Sequence, residues 1–262
     1  MSVKTGIRVG VDAHAVAGVL SREWTVFRRY WRSATTVSLA DPLLSLLAFG
    51  YGFGALVTTV GGYSYLDYVG TGVVATAVLF SSVFPGMFDT FFKRTQHGTF
   101  DAMLAAPVDT EDLVTAQVLF LGAKAGVYGM SPLLVAMAFG LDPSWGMLLV
   151  LPVAVLTACG FAAFGIWMSA VISRINSLDY VIGLVVLPLF LFAGTFFPLD
   201  GFPDWVGTVA LFNPLYHCVE LVRHAVFGLQ PLVDAGHVAV LVVFAALMWL
   251  AAVSRLRARL VG

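Results

Sequence analysis

The sequence predicts an all-α integral membrane protein with six transmembrane helices, and three observations lead to that class. Hydrophobic residues make up 60% of the 262 residues, charged residues only 11%, and the mean hydropathy is +0.92. An average soluble domain is about half apolar and about a quarter charged, so this chain has too little charge to coat a water-soluble globule. Its apolar residues also form long uninterrupted runs, which excludes a membrane β-barrel with alternating polarity.

Six apolar runs are long enough to cross a bilayer. About 20 helical residues, each rising about 1.5 Å, cover a hydrocarbon core of about 30 Å. We expect them to form one domain over residues 1–262. The predicted spans are residues 43–60, 69–91, 113–139, 147–172, 180–197 and 235–253.

The basic residues predict the orientation of these spans. If the N-terminus is inside, all but two of the 14 Lys and Arg residues lie in cytoplasmic segments. The exceptions are Arg223, in an external segment, and Lys124, within span three. Because cytoplasmic loops carry the excess of Lys and Arg, both termini are predicted to be cytoplasmic.

An amphipathic helix is predicted over residues 16–32, before span one. Aromatic and aliphatic side chains fall on one helical face and four arginines on the other. This pattern is typical of a helix lying in the cytoplasmic membrane interface, and a simple positively charged topology anchor is the alternative. The apolar face holds Val16, Leu20, Trp24, Phe27 and Trp31, and the basic face Arg22, Arg28, Arg29 and Arg32.

The cytoplasmic loop at residues 92–112 contains signals for a short helix. Thr99 is placed to cap a helix over residues 99–104, which Pro107 then stops. Asp109 is placed to cap span three, with Glu111 and Asp112 in its first turn. Phe100, Met103 and Leu104 are expected to be exposed below the membrane, either as a docking surface for a soluble partner or as an ordinary tethered loop.

The external segment at residues 198–234 is broken by prolines and holds two apolar stretches too short to span, which predicts re-entrant helices. The second helix has Asn213 as N-cap, Pro214 at its first position and Gly228 beyond its end. His217, Glu220 and His224 form a polar stripe along it, and Glu220 is placed to pair with Arg223 or His224. A zinc enzyme built on His217, Glu220 and His224 is one hypothesis, but the stripe lacks the H-E-x-x-H spacing, so we predict a solvated or pore-facing stripe and no metal site.

The sequence lacks the motifs of ATP hydrolysis and of nucleophilic catalysis. It contains no G-x-x-x-x-G-K-[ST] phosphate loop and no G-x-S-x-G elbow, so no catalytic residue is assigned. Lys124 lies roughly 16 Å into span three, near the predicted bilayer centre. It is interpreted as a polar point on a translocation path, as a buried structural lysine, or as the ion-coupling residue of a self-sufficient secondary transporter.

Two motifs, together with the order of features, resemble a known family. The stretch after span two in ABC-2 type transporter permeases is similar to HGTFDAMLAAPVDTEDLVTAQVL at His97–Leu119. Their signature before the last span is similar to FNPLYHCVELVRHAVFG at Phe212–Gly228. The stretches Leu39–Gly54 and Phe100–Leu104 look closest to the NodJ and drug-exporter branch, and the resemblance extends over almost the whole chain.

This resemblance implies a transport subunit without enzymatic activity of its own. Two permease copies would form a homodimer and bind two copies of a separate ABC ATPase subunit. That subunit would hold ATP and Mg, whereas this chain would bind no cofactor. The complex would export a lipid-linked saccharide, a glycolipid or a hydrophobic drug across the bacterial cytoplasmic (inner) membrane. No nucleic-acid partner is expected.

The resemblance also implies roles for particular residues. The residues that would couple to the ATPase are Phe100, Asp101, Met103, Leu104, Pro107, Glu111 and Asp112. The residues that would line the translocation path are Lys124, Tyr51, Phe53, Phe84, Phe88, Phe192 and Phe196. The external re-entrant helix with His217, Glu220, Arg223 and His224 would cap that path.

Overall fold

The computed structural model describes residues 10–54, 56–57, 59–60 and 62–260 and is almost entirely helical, with one two-residue antiparallel hairpin. The side chains of Tyr51 and Phe53, both predicted for the path, lie outside the described part. The α-helices and strands in chain order are α1 (Ala13–Ser45), β1 (Thr59–Val60), β2 (Tyr63–Ser64), α2 (Tyr65–Phe84), α3 (Thr90–Thr95), α4 (Thr99–Leu104), α5 (Thr110–Gly129), α6 (Ser131–Ala138), α7 (Met147–Val171), α8 (Leu178–Val181), α9 (Leu187–Leu191), α10 (Asp204–Ala210), α11 (Pro214–Phe227) and α12 (Pro231–Leu260). Wider π-helical turns cover Leu46–Phe53, Pro85–Asp89 and Ile182–Val186, and 3-10 turns cover Ile175–Ser177 and Leu199–Gly201.

The predicted boundary between the interfacial helix and span one is absent. Helix α1 runs unbroken through residues 13–45 and continues as the π-helix Leu46–Phe53, so the helix ends before residue 60. The hydroxyls of the polar residues between the two predicted segments are satisfied by carbonyls one turn back, so the helix passes through them without leaving a polar group unpaired there. Thr35 donates to Trp31 O at 2.8 Å and Thr36 donates to Arg32 O at 2.9 Å.

Among the described residues, five helical stretches are long and apolar enough to cross a membrane: residues 13–50, 65–95, 110–138, 147–171 and 231–260. Four of them match predicted spans closely, and the first merges span one with the preceding amphipathic segment. The sixth predicted span, residues 180–197, corresponds to a shorter apolar helical stretch, Ile175–Leu191. A single π-helical turn at Pro85–Asp89 accommodates Pro85 within the stretch at residues 65–95.

The short stretch nevertheless connects opposite ends of the bundle. Before it, the carbonyl of Ile172 accepts a hydrogen bond from Arg94, at the end of α3. After it, the carbonyl of Gly194 accepts hydrogen bonds from Tyr68, near the start of α2, and from Arg223. Because α2 and α3 form one continuous long stretch, the chain passes from one end of the bundle to the other between residues 172 and 194.

Helix α7 lies in the centre and packs against α2, α5, α11 and α12. Glycines permit the close approach of these helices. A Cβ built on Gly122 would lie against Cys159 and one built on Gly126 against Val155, so this pair of glycines joins α5 to α7 within one chain. The core they help to form fixes the ends of the helices, where the candidate sites are located.

Candidate functional site

Helix α4 lies within the loop at residues 92–112, hereafter called the coupling loop after the role that the family resemblance implies for it. Gly98 precedes the helix in the left-handed conformation, with φ 58°, and Thr99 is the first helical residue. The prediction that Thr99 caps the helix is therefore wrong, since the backbone reversal at Gly98 starts it instead. A side chain is disfavoured at this φ, which explains the glycine.

The apolar stripe of α4 faces inward rather than outward. Phe100 is 1% exposed and packs in a cluster with Val16 and Val19 of α1 and Leu113 and Val114 of α5. Met103 and Leu104 are half-buried on the same stripe. The predicted exposure of Phe100 is wrong because the α1 and α5 ends supply an apolar surface that covers it. The exposed residues of this part of the loop are Asp101, Ala102, Ala105, Ala106 and Pro107.

The acidic residues after α4 hold the loop together. Asp109 and Asp112 form a reciprocal capping box at the start of α5, which confirms that Asp109 caps this helix. Asp112 is buried and also accepts a hydrogen bond from the backbone N–H of Asp12 at 2.7 Å. Glu111 pairs with Arg257 of α12 at 2.8 Å. Both described ends of the chain, near residues 12 and 257, therefore lie at the same end of the bundle as the coupling loop.

A buried polar triad, Glu23, Lys93 and Gln117, joins α1 and α5 to α3 at the start of the coupling loop. Lys93 Nζ lies 2.9 Å from Glu23 Oε2 and 2.9 Å from Gln117 Oε1. Gln117 Nε2 donates to Glu23 Oε1 at 2.9 Å, and Arg22 also pairs with Glu23. Glu23 and Gln117 are 4% and 2% exposed. Sequence reasoning missed this triad, although Glu23 is the single acid of the basic segment 16–32.

Two arginines bind the C-terminal end of α7, which lies at the coupling-loop end of the bundle. Arg94 donates to the carbonyl of Ser169 at 2.8 Å, and Arg259 donates to the carbonyl of Ala170 at 3.1 Å. These carbonyls belong to the last turn of α7, where cations stabilise the negative end of the helix dipole. The arginines therefore fix the end of α7 relative to α3 and α12.

Six phenylalanines form a continuous aromatic row on one side of the bundle. Neighbouring ring centroids are 4.6–6.3 Å apart, within the range of about 4.5–7 Å that is typical of aromatic pairs. Two predicted path residues, Phe84 and Phe88, lie at one end and a third, Phe196, lies near the other. The pairs are Phe88–Phe84 (6.3 Å), Phe84–Phe80 (5.2 Å), Phe80–Phe190 (5.5 Å), Phe190–Phe196 (5.6 Å) and Phe196–Phe49 (4.6 Å).

Two other predicted path residues lie away from this row. Phe192 is 36% exposed and lines a separate cavity of about 270 Å³ with Leu184 and Phe212. Lys124 lines a cavity of about 880 Å³ between α1 and α5, and a smaller one of about 340 Å³ that extends to Ser81 of α2. That Lys124 lies on a translocation path stays a prediction.

Helix α11 has the predicted ends. The Asn213 side chain accepts a hydrogen bond from the backbone N–H of Leu215, Pro214 is the first helical residue, and Gly228 follows the last turn. Glu220 pairs with Arg223 at 3.2 Å, as its spacing predicts. The guanidinium carbon of Arg223 lies 3.7 Å from the centroid of the Tyr68 ring, and this cation–π contact joins α11 to α2.

The polar stripe of α11 is packed against α12 rather than solvated. His217 is 5% exposed; its Nε2–H donates to Leu211 O, and its Nδ1 lies 2.6 Å from Nδ1 of His237. His224 donates from Nδ1 to Asp234 at 2.6 Å. Within the part of the chain that the structure describes, no group of three or more His, Cys, Asp or Glu residues is placed to hold a metal ion.

This architecture defines a multi-pass helical membrane protein whose loop at the arginine-rich end is held by buried contacts. Comparison with known proteins identifies its family. The family model described as ABC-2 type transporter matches residues 15–227. The chain therefore belongs to the ABC-2 type transporter family of membrane transport proteins.

Individual relatives match along most of their length. Nodulation protein J of Rhizobium leguminosarum bv. trifolii is 31% identical over 235 residues, covering 88% of this chain and 89% of the relative. Nodulation protein J of Neorhizobium galegae is 26% identical and covers 92% of both chains. The inner membrane transport permease YadH of Escherichia coli K12 is 21% identical over 88% of this chain and 90% of the relative. Permeases of this family normally work with an ATPase subunit.

Proposed function

We propose that this chain is the transmembrane permease subunit of an ATP-binding-cassette exporter in the bacterial cytoplasmic membrane. Two copies would form a homodimer and bind two copies of a separate ATPase subunit that holds ATP and Mg. The exported substrate would be an amphiphile, such as a lipid-linked saccharide, a glycolipid or a hydrophobic drug. The name of the YadH permease, an inner membrane transport protein, supports the membrane assigned here.

The coupling loop is the observation that carries this proposal. Its short helix α4 is anchored by the buried ring of Phe100, while Asp101, Ala102 and Pro107 remain exposed. A groove of about 570 Å³ runs beside it, lined by Gly18 of α1 and by Pro107 among others. A projection that is rigid at its base and free on its outer face suits the transmission of force from a soluble partner.

Six passes and cytoplasmic termini belong to the same proposal. The contacts of residues 172 and 194 with opposite ends of the bundle support a sixth crossing by the short helical stretch between them. The arginines near the coupling loop, among them Arg94, Arg257 and Arg259, support a cytoplasmic position for that end. Helices α10 and α11 would then form the external re-entrant segment that caps the path.

The aromatic row supports a path for an amphiphile. Its rings are half-buried in one chain and extend along α2 toward the coupling loop. Their flat apolar surfaces suit both acyl chains and the faces of sugar rings. In the proposed homodimer, the rows of the two copies would face one central path.

Co-expression with the ABC ATPase subunits of the genome that encodes this chain tests the proposal. Asp101→Lys changes the exposed face of α4 without disturbing the buried ring of Phe100. We expect about a tenfold loss of affinity for the ATPase, equivalent to about 1.4 kcal/mol, because a reversed charge is placed at the contact. The matched control is Asp142→Lys, an exposed acid in the connection between α6 and α7.

The readouts are the amount of ATPase that copurifies and its rate of ATP hydrolysis. Loss of both in the Asp101 variant, with the Asp142 variant unchanged, is the expected result. Equal copurification and hydrolysis in the two variants would refute the assignment of the coupling loop. Failure of the native chain to bind the ATPase at all would refute the exporter itself.

A further inference from the structure

We propose that the cleft between α1 and α5 binds an anionic phospholipid of the surrounding bilayer. The cleft encloses about 880 Å³, within the range of roughly 300–1,000 Å³ typical of small-molecule sites. This inference does not depend on the exporter function proposed above, and the cleft is separate from the aromatic row.

The walls of the cleft are apolar and open sideways. Several of its aromatic and aliphatic side chains are well exposed, including Trp31 at 47%, Val127 at 61% and Leu134 at 59%. In helices that cross a bilayer, such exposed apolar side chains adjoin lipid tails rather than water. The opening therefore gives an acyl chain direct access from the bilayer.

The charges of the cleft select the ligand. Arg28 and Lys124 are its two charged side chains among the described residues, and both are cationic. Lys124 makes a cation–ring contact with Phe120 at 6.0 Å but no ion pair within the part of the chain that the structure describes. Two acids act on it by their charge: Asp89, which lies beyond ion-pair distance, and Glu23, which is already bound by Lys93 and Arg22. A cation in largely apolar surroundings without an ion-pair partner favours a ligand that carries an anion.

The structure places Lys124 near the arginine-rich part of α1 rather than near the bilayer centre, where its depth in span three predicts it. Helices α1 and α5 run parallel with a nearly constant separation in sequence, since Glu23 bonds Gln117 and Thr35 bonds Tyr128. The same separation sets Lys124 level with Trp31, between Arg28 and Arg32 along α1, and this level suits a phospholipid headgroup. Basic pockets between transmembrane helices are a recurrent way of binding anionic lipid headgroups.

The length of the cleft suits the tail. Above Lys124 the cleft continues along α1 from Trp31 to Leu39, both of which line it. Eight residues at about 1.5 Å each correspond to roughly 12 Å. One leaflet occupies about half of the roughly 30 Å hydrocarbon core. A lipid bound by its phosphate near Lys124 can therefore place one acyl chain along this wall.

Brominated lipids test the proposal because bromine quenches nearby tryptophan fluorescence. The purified full chain is placed in phosphatidylcholine vesicles that contain phosphatidylglycerol, with bromine on the acyl chains of one lipid or the other. The contribution of Trp31 is the difference in quenching between the native chain and the Trp31→Phe variant. We expect brominated phosphatidylglycerol to quench Trp31 about fivefold more effectively per mole than brominated phosphatidylcholine.

Variants of Lys124 test whether its charge is responsible for the preference for the anionic lipid. Lys124→Met should abolish most of this preference, whereas Lys124→Arg should retain it. Arg174→Met removes an exposed cation away from the cleft and serves as the matched control. Circular dichroism of each variant confirms that the helices are intact before the lipids are compared.

Three outcomes would overturn the proposal. Equal quenching of Trp31 by the two lipids would show an unselective contact with lipid tails. An unchanged preference in the Lys124→Met variant would exclude this cation as the binding group. Absence of quenching by either lipid would show that the cleft is covered, for example by a second copy of the chain.

Discussion

The polar triad offers a direct test of how the coupling loop is held in place. The substitution Glu23→Gln preserves the shape of the side chain but removes its charge. Lys93, whose side chain is 17% exposed, then loses its carboxylate partner while remaining largely enclosed. Breaking a buried ion pair by removing one partner costs about 3–5 kcal/mol. We expect about 3 kcal/mol, because Lys93 and Arg22 keep some access to solvent.

A double-mutant cycle separates the ion pair from other effects. Lys93→Met should also cost about 3 kcal/mol, since it leaves Glu23 with only Arg22 and Gln117. The double variant Glu23→Gln, Lys93→Met should cost less than the sum of the single variants, because no uncompensated buried charge remains. The free energy of unfolding is measured by reversible titration of detergent-solubilised protein with dodecyl sulfate, followed by circular dichroism.

Hydrogen exchange locates the effect in the molecule. The amides of α4 and of the first turn of α5 should exchange faster in the Glu23→Gln variant, while those in the centre of α7 should be little affected. Additive costs in the cycle would refute the ion-pair coupling. Unchanged exchange in α4 would refute the link between the triad and the coupling loop.

Two further substitutions probe the packing, using the same unfolding titration. Phe100→Ala should lower the free energy of unfolding by about 3–5 kcal/mol, because it empties a fully buried ring site. Ala102→Ser, on the exposed face of the same helix, should change it by less than about 0.5 kcal/mol. Gly86→Ala should cost about 1–3 kcal/mol, since its Cβ would lie 2.8 Å from the carbonyl oxygen of Ala162. Gly183→Ala, where a Cβ meets nothing within 4 Å, is the control. Equal effects in either pair would contradict the packing described.

Long apolar runs and local capping signals were predictable from the sequence. The helices at residues 65–95, 110–138, 147–171 and 231–260 follow directly from the length of their apolar runs. Helix α11 follows from Asn213, Pro214 and Gly228, because each of these residues acts on the backbone nearest to it. The same applies to Asp109, whose capping box involves a residue only three positions away.

Features that depend on distant parts of the chain were not predictable in this way. The inward orientation of Phe100 depends on surfaces of α1 and α5, and an apolar stripe on a short helix does not reveal which neighbour covers it. The polar triad joins residues that are far apart in sequence, so no local spacing marks it. The burial of His217 likewise depends on His237, which lies on another helix.

The parallel pairing of α1 with α5 has a consequence for biosynthesis. Thr35 and Tyr128 are 93 residues apart in the chain, and Glu23 and Gln117 are 94 apart. At about 5–20 residues per second, a ribosome needs roughly 5–20 s to make the partner of each α1 residue. During that interval Glu23 has neither Lys93 nor Gln117 as a partner and can pair only with Arg22 of its own helix. We therefore expect the arginine-rich face of α1 to anchor the helix at the membrane surface until α5 has been synthesised.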